Sequence, residues 1–257
     1  NMQRITIILP CAGEGKRLGA EGPKELFEIY PGKKLIDYSI EHIKAFNNSE
    51  KISELDIMVS VIIVVKPGKE NVFHHVSEML PTVNVNYVMF NNYFREWPGS
   101  VYSASSEFSE MNIVLLPDTF VKFGSDDLIY TDRDGETLIS KAIGKLSESK
   151  VVFGVTRCTD PEIVSNLGAV QVKNERIVKF KDKPKEDIDQ YNGFWGVYGF
   201  REPSARSLYD FLIDSVENGE KKSHLLKELN PGVFYIDTYF DLGTVDSVAK
   251  FIGSDSS

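Results

Sequence analysis

Ile5-Thr6-Ile7-Ile8-Leu9-Pro10-Cys11-Ala12-Gly13-Glu14-Gly15-Lys16-Arg17-Leu18-Gly19 is the stretch whose reading decides the fold. Its first five residues are almost all apolar and β-branched, the pattern of a short strand buried on both faces. Pro10 ends the run, and a glycine-rich turn follows at once. Glycines in that position let the backbone turn tightly and aim N–H groups at an anion. Lys16 and Arg17 add positive charge beside the concavity. The Gly-x-x-x-x-Gly-Lys-Ser/Thr spacing of a Walker loop is absent. A dinucleotide fingerprint also fails, because Gly13-x-Gly15 lacks its third glycine and Lys16 and Arg17 replace small residues. Taken alone, the turn suits either a triphosphate or a simple chain reversal.

Outward from this stretch the pattern repeats. Leu35, Ile36, Ile40, Ile43 and Phe46 fall at helical spacing, and residues 59–65 form a second apolar run closed by Pro67-Gly68. Strands are expected at 83–90, 112–116 and 151–155, with a helix starting in 100–107 and another over 138–146. Strands alternating with amphipathic helices predict an α/β fold with a mainly parallel, mixed sheet and a Rossmann-like nucleotide-binding half. From Gly168 the texture becomes strand, turn, strand, with the period of a half-exposed hairpin. A strand at 194–200, a helix at 204–216, a strand at 233–239 and a helix at 245–251 complete the expectation. The organisation is therefore one domain over 1–253 with a smaller inserted acceptor-binding subdomain near 165–235, and a polar tail at 254–257.

Composition narrows the function classes. The 257 residues carry 38 acidic and 29 basic side chains, a formal charge of −9, which argues against a broad nucleic-acid footprint. Cys11 and Cys158 are the only cysteines, so neither a zinc site rich in cysteine nor an oxidised scaffold is expected, and both read as small buried hydrophobes. No apolar run is long enough to span a membrane, and the first residues lead straight into a strand, so the expected location is the cytoplasm. Tyr87, Phe90 and Phe94 suit either a core or a subunit contact, which leaves a homo-oligomer open.

Four groups could carry chemistry. Lys24, pinned behind Pro23, can offer a point charge to phosphate or stand solvated at the surface. Asp118 follows Ile113-Val114-Leu115-Leu116-Pro117 at the end of a central strand, where open α/β sheets bind ligands. A hard carboxylate there suits Mg²⁺, and it suits a turn cap equally well. Asp241, before Leu242-Gly243-Thr244, could complete the metal site. Asp237 competes with it, although it falls inside the strand pattern. Lys181, Lys183 and Lys185 form a basic comb that is either a solvated edge or an acceptor-phosphate contact. Asp126, Asp127, Asp132 and Asp134 read as solvated turns. Four histidines supply no zinc spacing, since His74 and His75 are adjacent and diverge, and no nucleophile elbow is present.

With these residues in hand, the chain resembles the sugar-nucleotide pyrophosphorylases, the family of glucose-1-phosphate thymidylyltransferases and uridylyltransferases. The resemblance rests on Leu9 to Leu18 with Pro23-Lys24-Glu25-Leu26. Leu115-Leu116-Pro117-Asp118, Gly168-Ala169-Val170, Phe180-Lys181-Asp182-Lys183-Pro184, Gly196 to Phe200 and Phe240-Asp241-Leu242-Gly243-Thr244 follow in the same order. It implies a GT-A-like nucleotide-diphospho-sugar transferase fold and Mg²⁺-dependent coupling of a nucleoside triphosphate to a sugar 1-phosphate, releasing pyrophosphate. It also implies catalytic roles for Arg17 and Lys24, and nucleotide binding by Ala12, Gly13, Gly15, Lys16, Gly99 and Ser100. Metal binding falls to Asp118 and Asp241, and acceptor binding to Gly168, Asp182, Lys183 and Trp195.

The departures bear on the substrates. Lys16 stands where the family has threonine or serine, Pro117 where it has glycine, and Asp182 where it has glutamate. The base-reading segment Gly99-Ser100-Val101-Tyr102 lacks the glutamine or histidine of well-known branches. A cytidylyltransferase of the same fold acting on a non-glucose, alditol- or choline-type phosphate is therefore the near alternative. A related glycosyltransferase is disfavoured because Asp118-Thr119-Phe120 is not Asp-x-Asp. A catalytically silent nucleotide- or sugar-binding module would not need Lys24, Asp118 and Asp241.

Overall fold

The computed structural model describes residues 2–13, 22–90, 96–217 and 219–255. Strand β1 (Gln3–Pro10) is the buried run expected, and Ile5, Ile7, Ile8 and Leu9 are each no more than 1% exposed. Burial on that scale stabilises by roughly 1.5–3 kcal/mol per side chain. The polypeptide continues through a hairpin, β2 (Glu28–Tyr30) and β3 (Lys33–Lys34), into α1 (Asp37–Asn47) and α2 (Glu50–Glu54). Next come β4 (Ile57–Val65), α3 (Glu70–Met79), β5 (Asn84–Met89), α4 (Trp97–Tyr102), β6 (Met111–Leu115) and β7 (Thr119–Lys122). Helix α5 (Leu138–Leu146), started by a Thr137–Ser140 capping box, leads to β8 (Val151–Arg157) and α6 (Pro161–Val164). The second half holds β9 (Gly168–Lys173), β10 (Arg176–Asp182), β11 (Gly193–Arg201), α7 (Ala205–Glu217), α8 (Leu225–Leu229), β12 (Gly232–Tyr235), β13 (Thr238–Asp241) and α9 (Val245–Asp255).

Nine strands form one mixed sheet in the order β5-β4-β1-β6-β11-β8-β12-β10-β9, and β11 also pairs with β9. The β5-β4-β1-β6 half is parallel throughout. Strand β11 joins it antiparallel, between β6 and β8, and its first residues, Gly193 and Phe194, pair with Val170 and Ala169 of β9. The last five strands thereby close into a small ring. Helices α1, α3 and α5 cover one face through Ile40, Ile43, Val72, Val76, Ile139 and Leu146, while α4, α7 and α8 cover the other. Residues near 165–235 thus belong to the same sheet as the Rossmann-like half.

Several expectations change in detail. The apolar stretch 233–239 is two strands: β12 stays with β8 to Tyr235, after which Asp237 N bonds to Lys122 O and β13 runs antiparallel to β7. Asp237 therefore sits at the switch between two sheets and pairs with Lys122 Nζ at 3.0 Å. The helix expected from Ser100 begins earlier, at Trp97, with Pro98 in its first turn. Helix α9 runs on through Ser254 to Asp255, into the segment expected as tail. Cys11 is buried, but Cys158 is only half-buried and borders a surface cleft with Arg157.

A third, smaller cluster packs Ile29, Leu35, Tyr38, Phe120, Leu242, Val248 and Phe251 beneath the β7–β13 ladder. Beside it, His42 is 2% exposed and its Nε2–H donates to Val121 O at 2.8 Å. Nδ1 has no partner among the described residues, so a second proton there would face no acceptor. Burial accordingly holds the imidazole pKa down at about 4. Because the folded value lies below the unfolded one, this stabilisation is complete above about pH 6.5 and is lost as pH falls towards 4. Urea denaturation between pH 7 and pH 4 should show about 3 kcal/mol of this loss in the native chain. The His42→Gln variant, which keeps an N–H donor, should lack that component; an unchanged pH slope would remove His42 from the account.

Candidate active site

The parallel strands deliver their carboxyl ends to one edge of the sheet. β1 and β6 pair in register, Ile8 opposite Val114, so the turn after β1 and the segment after β6 emerge together. Asp118 leaves that edge directly before β7. In the β7–β13 ladder Asp241 lies opposite Thr119, and Leu242 N donates to Asp118 O at 2.8 Å. That register is what brings two carboxylates distant in sequence to one place. Both border Gly243: a Cβ there would lie 3.0 Å from Asp241 Oδ1 and 3.3 Å from Asp118 Oδ2. Gly243 N also donates to Asp241 Oδ1 at 2.8 Å.

Lys24 reaches the same point from the short 3₁₀ turn Lys24–Leu26. Its Nζ donates to Asp118 Oδ2 at 3.0 Å, with side-chain exposures of 17% and 23%. Burial works against the ammonium charge, but the Asp118 carboxylate outweighs it and holds the lysine above its ordinary range. Gly13 lies against Lys24, since a Cβ there would meet Nζ at 3.5 Å. Ala12 packs in the same cluster as Val101 of α4, which places Gly99 and Ser100 on the same flank. Both are buried, and Ser100 Oγ has no partner among the described residues. Gly15, Lys16 and Arg17 lie outside the described residues.

The residues expected to contact the acceptor gather around Gly168. Asp182 is its register partner in the β9–β10 hairpin. Burial raises the Asp182 carboxyl, with Lys183 and Lys181 pulling the other way. Lys183 adopts φ 49° and donates its N–H to Leu167 O at 3.0 Å, so its exposed side chain leaves from a tight corner. Within the comb, Lys181 is engaged with Glu220 at 2.9 Å. Trp195 lies beside Gly168 as well. It is 9% exposed, stacked on Phe180 and edge-on or tilted against Trp97, Phe153 and Tyr198, and its Nε1 edge fills the space a Gly168 Cβ would need.

Tyr239 joins the two sides. Its ring sits on Gly196, where a Cβ would come within 2.4 Å, and it lies 5.9 Å from the Phe194 ring. Burial, then the Asp241 and Asp118 carboxylates, push its hydroxyl well above the usual value, so it stays protonated at neutral pH. A cleft of about 590 Å³ runs from Ile163 and Leu167 past Phe194, Tyr239 and Phe240 to Asp241. Sequence reasoning missed Tyr239, Gly243 and Lys69; only the strand-end position of Pro67-Gly68-Lys69 hinted at the last.

Asp118 and Asp241 offer hard oxygen donors around a gap that a Cβ would fill, and no group of three or more His, Cys, Asp or Glu that could hold a metal occurs among the described residues. That donor set fits a magnesium ion that keeps waters and substrate phosphates as its remaining partners. Gly243→Ala should weaken Mn²⁺ binding, read by electron paramagnetic resonance, by about tenfold with little change in melting temperature. Equal Mn²⁺ affinity in the variant would detach the pair from cation binding.

A 128-residue match, 30% identical, links half of this chain to the 2-C-methyl-D-erythritol 4-phosphate cytidylyltransferase of Clostridium perfringens, and it spans 52% of that relative's length. The UTP-bound UGPase of Acinetobacter baumannii shares the fold, with TM-score 0.71 and 18% identity over 99% of this chain and 93% of that one. So does the inositol-1-phosphate CTP transferase of T. maritima, with TM-score 0.62 and 20% identity over 96% and 92%. No described helix is long and apolar enough to cross a membrane. Residues 5–252 match the family described as Nucleotidyl transferase, and the chain belongs to that family.

Proposed function

We propose that this chain is a nucleotidyltransferase that couples CTP to a small non-glucose polyol phosphate of the alditol type, releasing pyrophosphate. The observation that carries the reading is the juxtaposition of Lys24, Asp118 and Asp241, the last of which also lines a cleft with Ile163, Leu167, Phe194, Tyr239 and Phe240. Charge gathers at one end for phosphates. Apolar side chains form part of the cleft's wall, and Arg157, Glu162, Asn166, Thr244, Ser247 and Lys250 line it too and offer hydrogen bonds to the hydroxyls of a polyol. The curated relative, a cytidylyltransferase of a C-methylated erythritol phosphate by name, supports the same acceptor class.

An acceptor phosphate oxygen attacks the α-phosphorus of the triphosphate in line, the bond to the bridging oxygen breaks, and pyrophosphate leaves. The acceptor phosphate is already anionic at neutral pH, so no protein base is required. Lys24, fully charged and fixed by Asp118, stabilises the charge that grows on the phosphoryl oxygens. Gly13, without a side chain, lets the phosphates approach both the backbone and Lys24. Gly168 and Asp182 border the acceptor face, and Lys183 offers a cation to the acceptor phosphate. Tyr239, held as a neutral hydroxyl, keeps the wall between the two substrates uncharged. Magnesium bound by Asp118 and Asp241 would supply charge neutralisation and alignment of the phosphates.

Pyrophosphate release should be measured with ATP, CTP, GTP, UTP and dTTP against alditol phosphates, inositol phosphate, phosphocholine and glucose 1-phosphate. Release confined to CTP with an alditol phosphate is the expected outcome; release with glucose 1-phosphate alone would sink the acceptor assignment. Lys24→Ala should lower kcat/KM by about a hundredfold or more. Lys33→Ala, which removes an ammonium lying over the Tyr38 ring, 4.7 Å from its centroid, should stay within about twofold. Equal losses would count against the phosphate contact.

A further inference from the structure

The end of β4 brings to this site a cation outside every motif. β4 runs parallel to β1 with Pro10 opposite Val64, and Cys11 N donates to Val64 O at 2.8 Å. Pro67 and Gly68 then turn the chain, Gly68 at φ 90°. Lys69 follows, and its ammonium donates to Gly13 O at 2.7 Å and to Glu25 Oε1 at 2.9 Å. The Lys69 side chain is 11% exposed and that of Glu25 is 0% exposed.

This is not a surface ion pair. A carboxylate without solvent contact requires a counter-charge, and Glu25 has Lys69. Its other oxygen, Oε2, has no partner among the described residues, and Lys69 is the largest counterweight to its burial, ahead of a backbone N–H and the Lys24 charge. Glu25 directly follows Lys24 in the 3₁₀ turn, and its carbonyl accepts from Ile36 N at 3.0 Å. Whatever fixes Glu25 therefore fixes the backbone that presents Lys24. The second contact falls on Gly13, whose opposite flank is Lys24 itself. A carbonyl oxygen at an anion-binding turn repels phosphate; an ammonium on that oxygen cancels the repulsion.

We propose that Lys69 is a positioning residue for the triphosphate, clamping the Gly13 turn to the Lys24–Glu25 segment and neutralising the Gly13 carbonyl. The assignment rests on the nucleotidyl-transfer reading. It makes Glu25 the counter-charge that allows a lysine to sit there, and it separates Lys69 from Lys24, which touches substrate.

Lys69→Met alone strands a buried carboxylate and can unfold the chain, so the informative variant is Lys69→Met with Glu25→Gln, which removes both charges. Glu25→Gln by itself keeps the ammonium on Gly13, and Lys69→Arg keeps a cation in place. Inorganic tripolyphosphate, titrated calorimetrically, is the probe, with melting temperature and acceptor KM measured alongside. The expected result is a folded double variant whose tripolyphosphate Kd rises about tenfold or more while acceptor KM holds. Glu25→Gln and Lys69→Arg should stay within about threefold of the native chain. Unchanged tripolyphosphate affinity in a folded double variant would overturn the role of Lys69 alone. So would a rise in Glu25→Gln as large as in the double variant. A native chain that binds no tripolyphosphate would overturn the nucleotidyl-transfer reading together with it.

Discussion

The register of the β7–β13 ladder is the constraint on which the site depends. It sets Asp241 opposite Thr119, next to Asp118, and so converts two carboxylates more than a hundred residues apart into one locus. Neither strand belongs to the large sheet. Their alignment is held by the Phe120, Leu242 and Phe251 cluster below and by the bond from Leu242 N to Asp118 O above. A slip of one residue would turn Asp241 to the other face of the ladder and leave Lys24 with a single carboxylate.

Around that locus, charge is distributed in buried or half-buried pairs. Lys24 answers Asp118, and Lys69 answers Glu25. Pairs of this kind are poor sources of net stability, because desolvation consumes much of their attraction. What they provide is fixed geometry: ammonium groups held in place before any phosphate arrives, so that little reorganisation accompanies binding. Tyr239 adds a neutral ring beside these charges, packed on Gly196 and lining the same cleft as Asp241.

Much of this was legible in the sequence, for identifiable reasons. Residues 138–146 were readable as a helix because its apolar period is strong and its start is capped by Thr137. β1, β4 and β6 announced themselves as short continuous apolar runs, which only doubly buried strands require. Lys24, Asp118 and Asp241 were legible because each stands at a strand end or behind a proline, and the ladder does unite the two aspartates. The split at Asp237 was not legible, since Val233-Phe234-Tyr235 and Thr238-Tyr239-Phe240 share one composition; the break comes from a change of hydrogen-bonding partner. The packing of Trp195, with its Nε1 edge against Gly168 and its ring on Phe180, was not legible, because it depends on β9, β10 and β11 being brought together. Lys69 was hidden because it looks like any turn lysine until β4 is placed beside β1.

Strand β11 carries a consequence for how the molecule comes into being. It fills the seam between β6 and β8, although it is made from residues 193–201, long after both neighbours have been synthesised. While the chain emerges from its N-terminus, the hydrogen-bonding edges of β6 and β8 have no mate, and the parallel half cannot be sealed. Closure waits on a segment eighty residues or so away from β6, a long-range pairing of the kind that slows folding. Until then one edge of β6 and both edges of β8, whose neighbours β11 and β12 come later in the chain, have no partner in the sheet order.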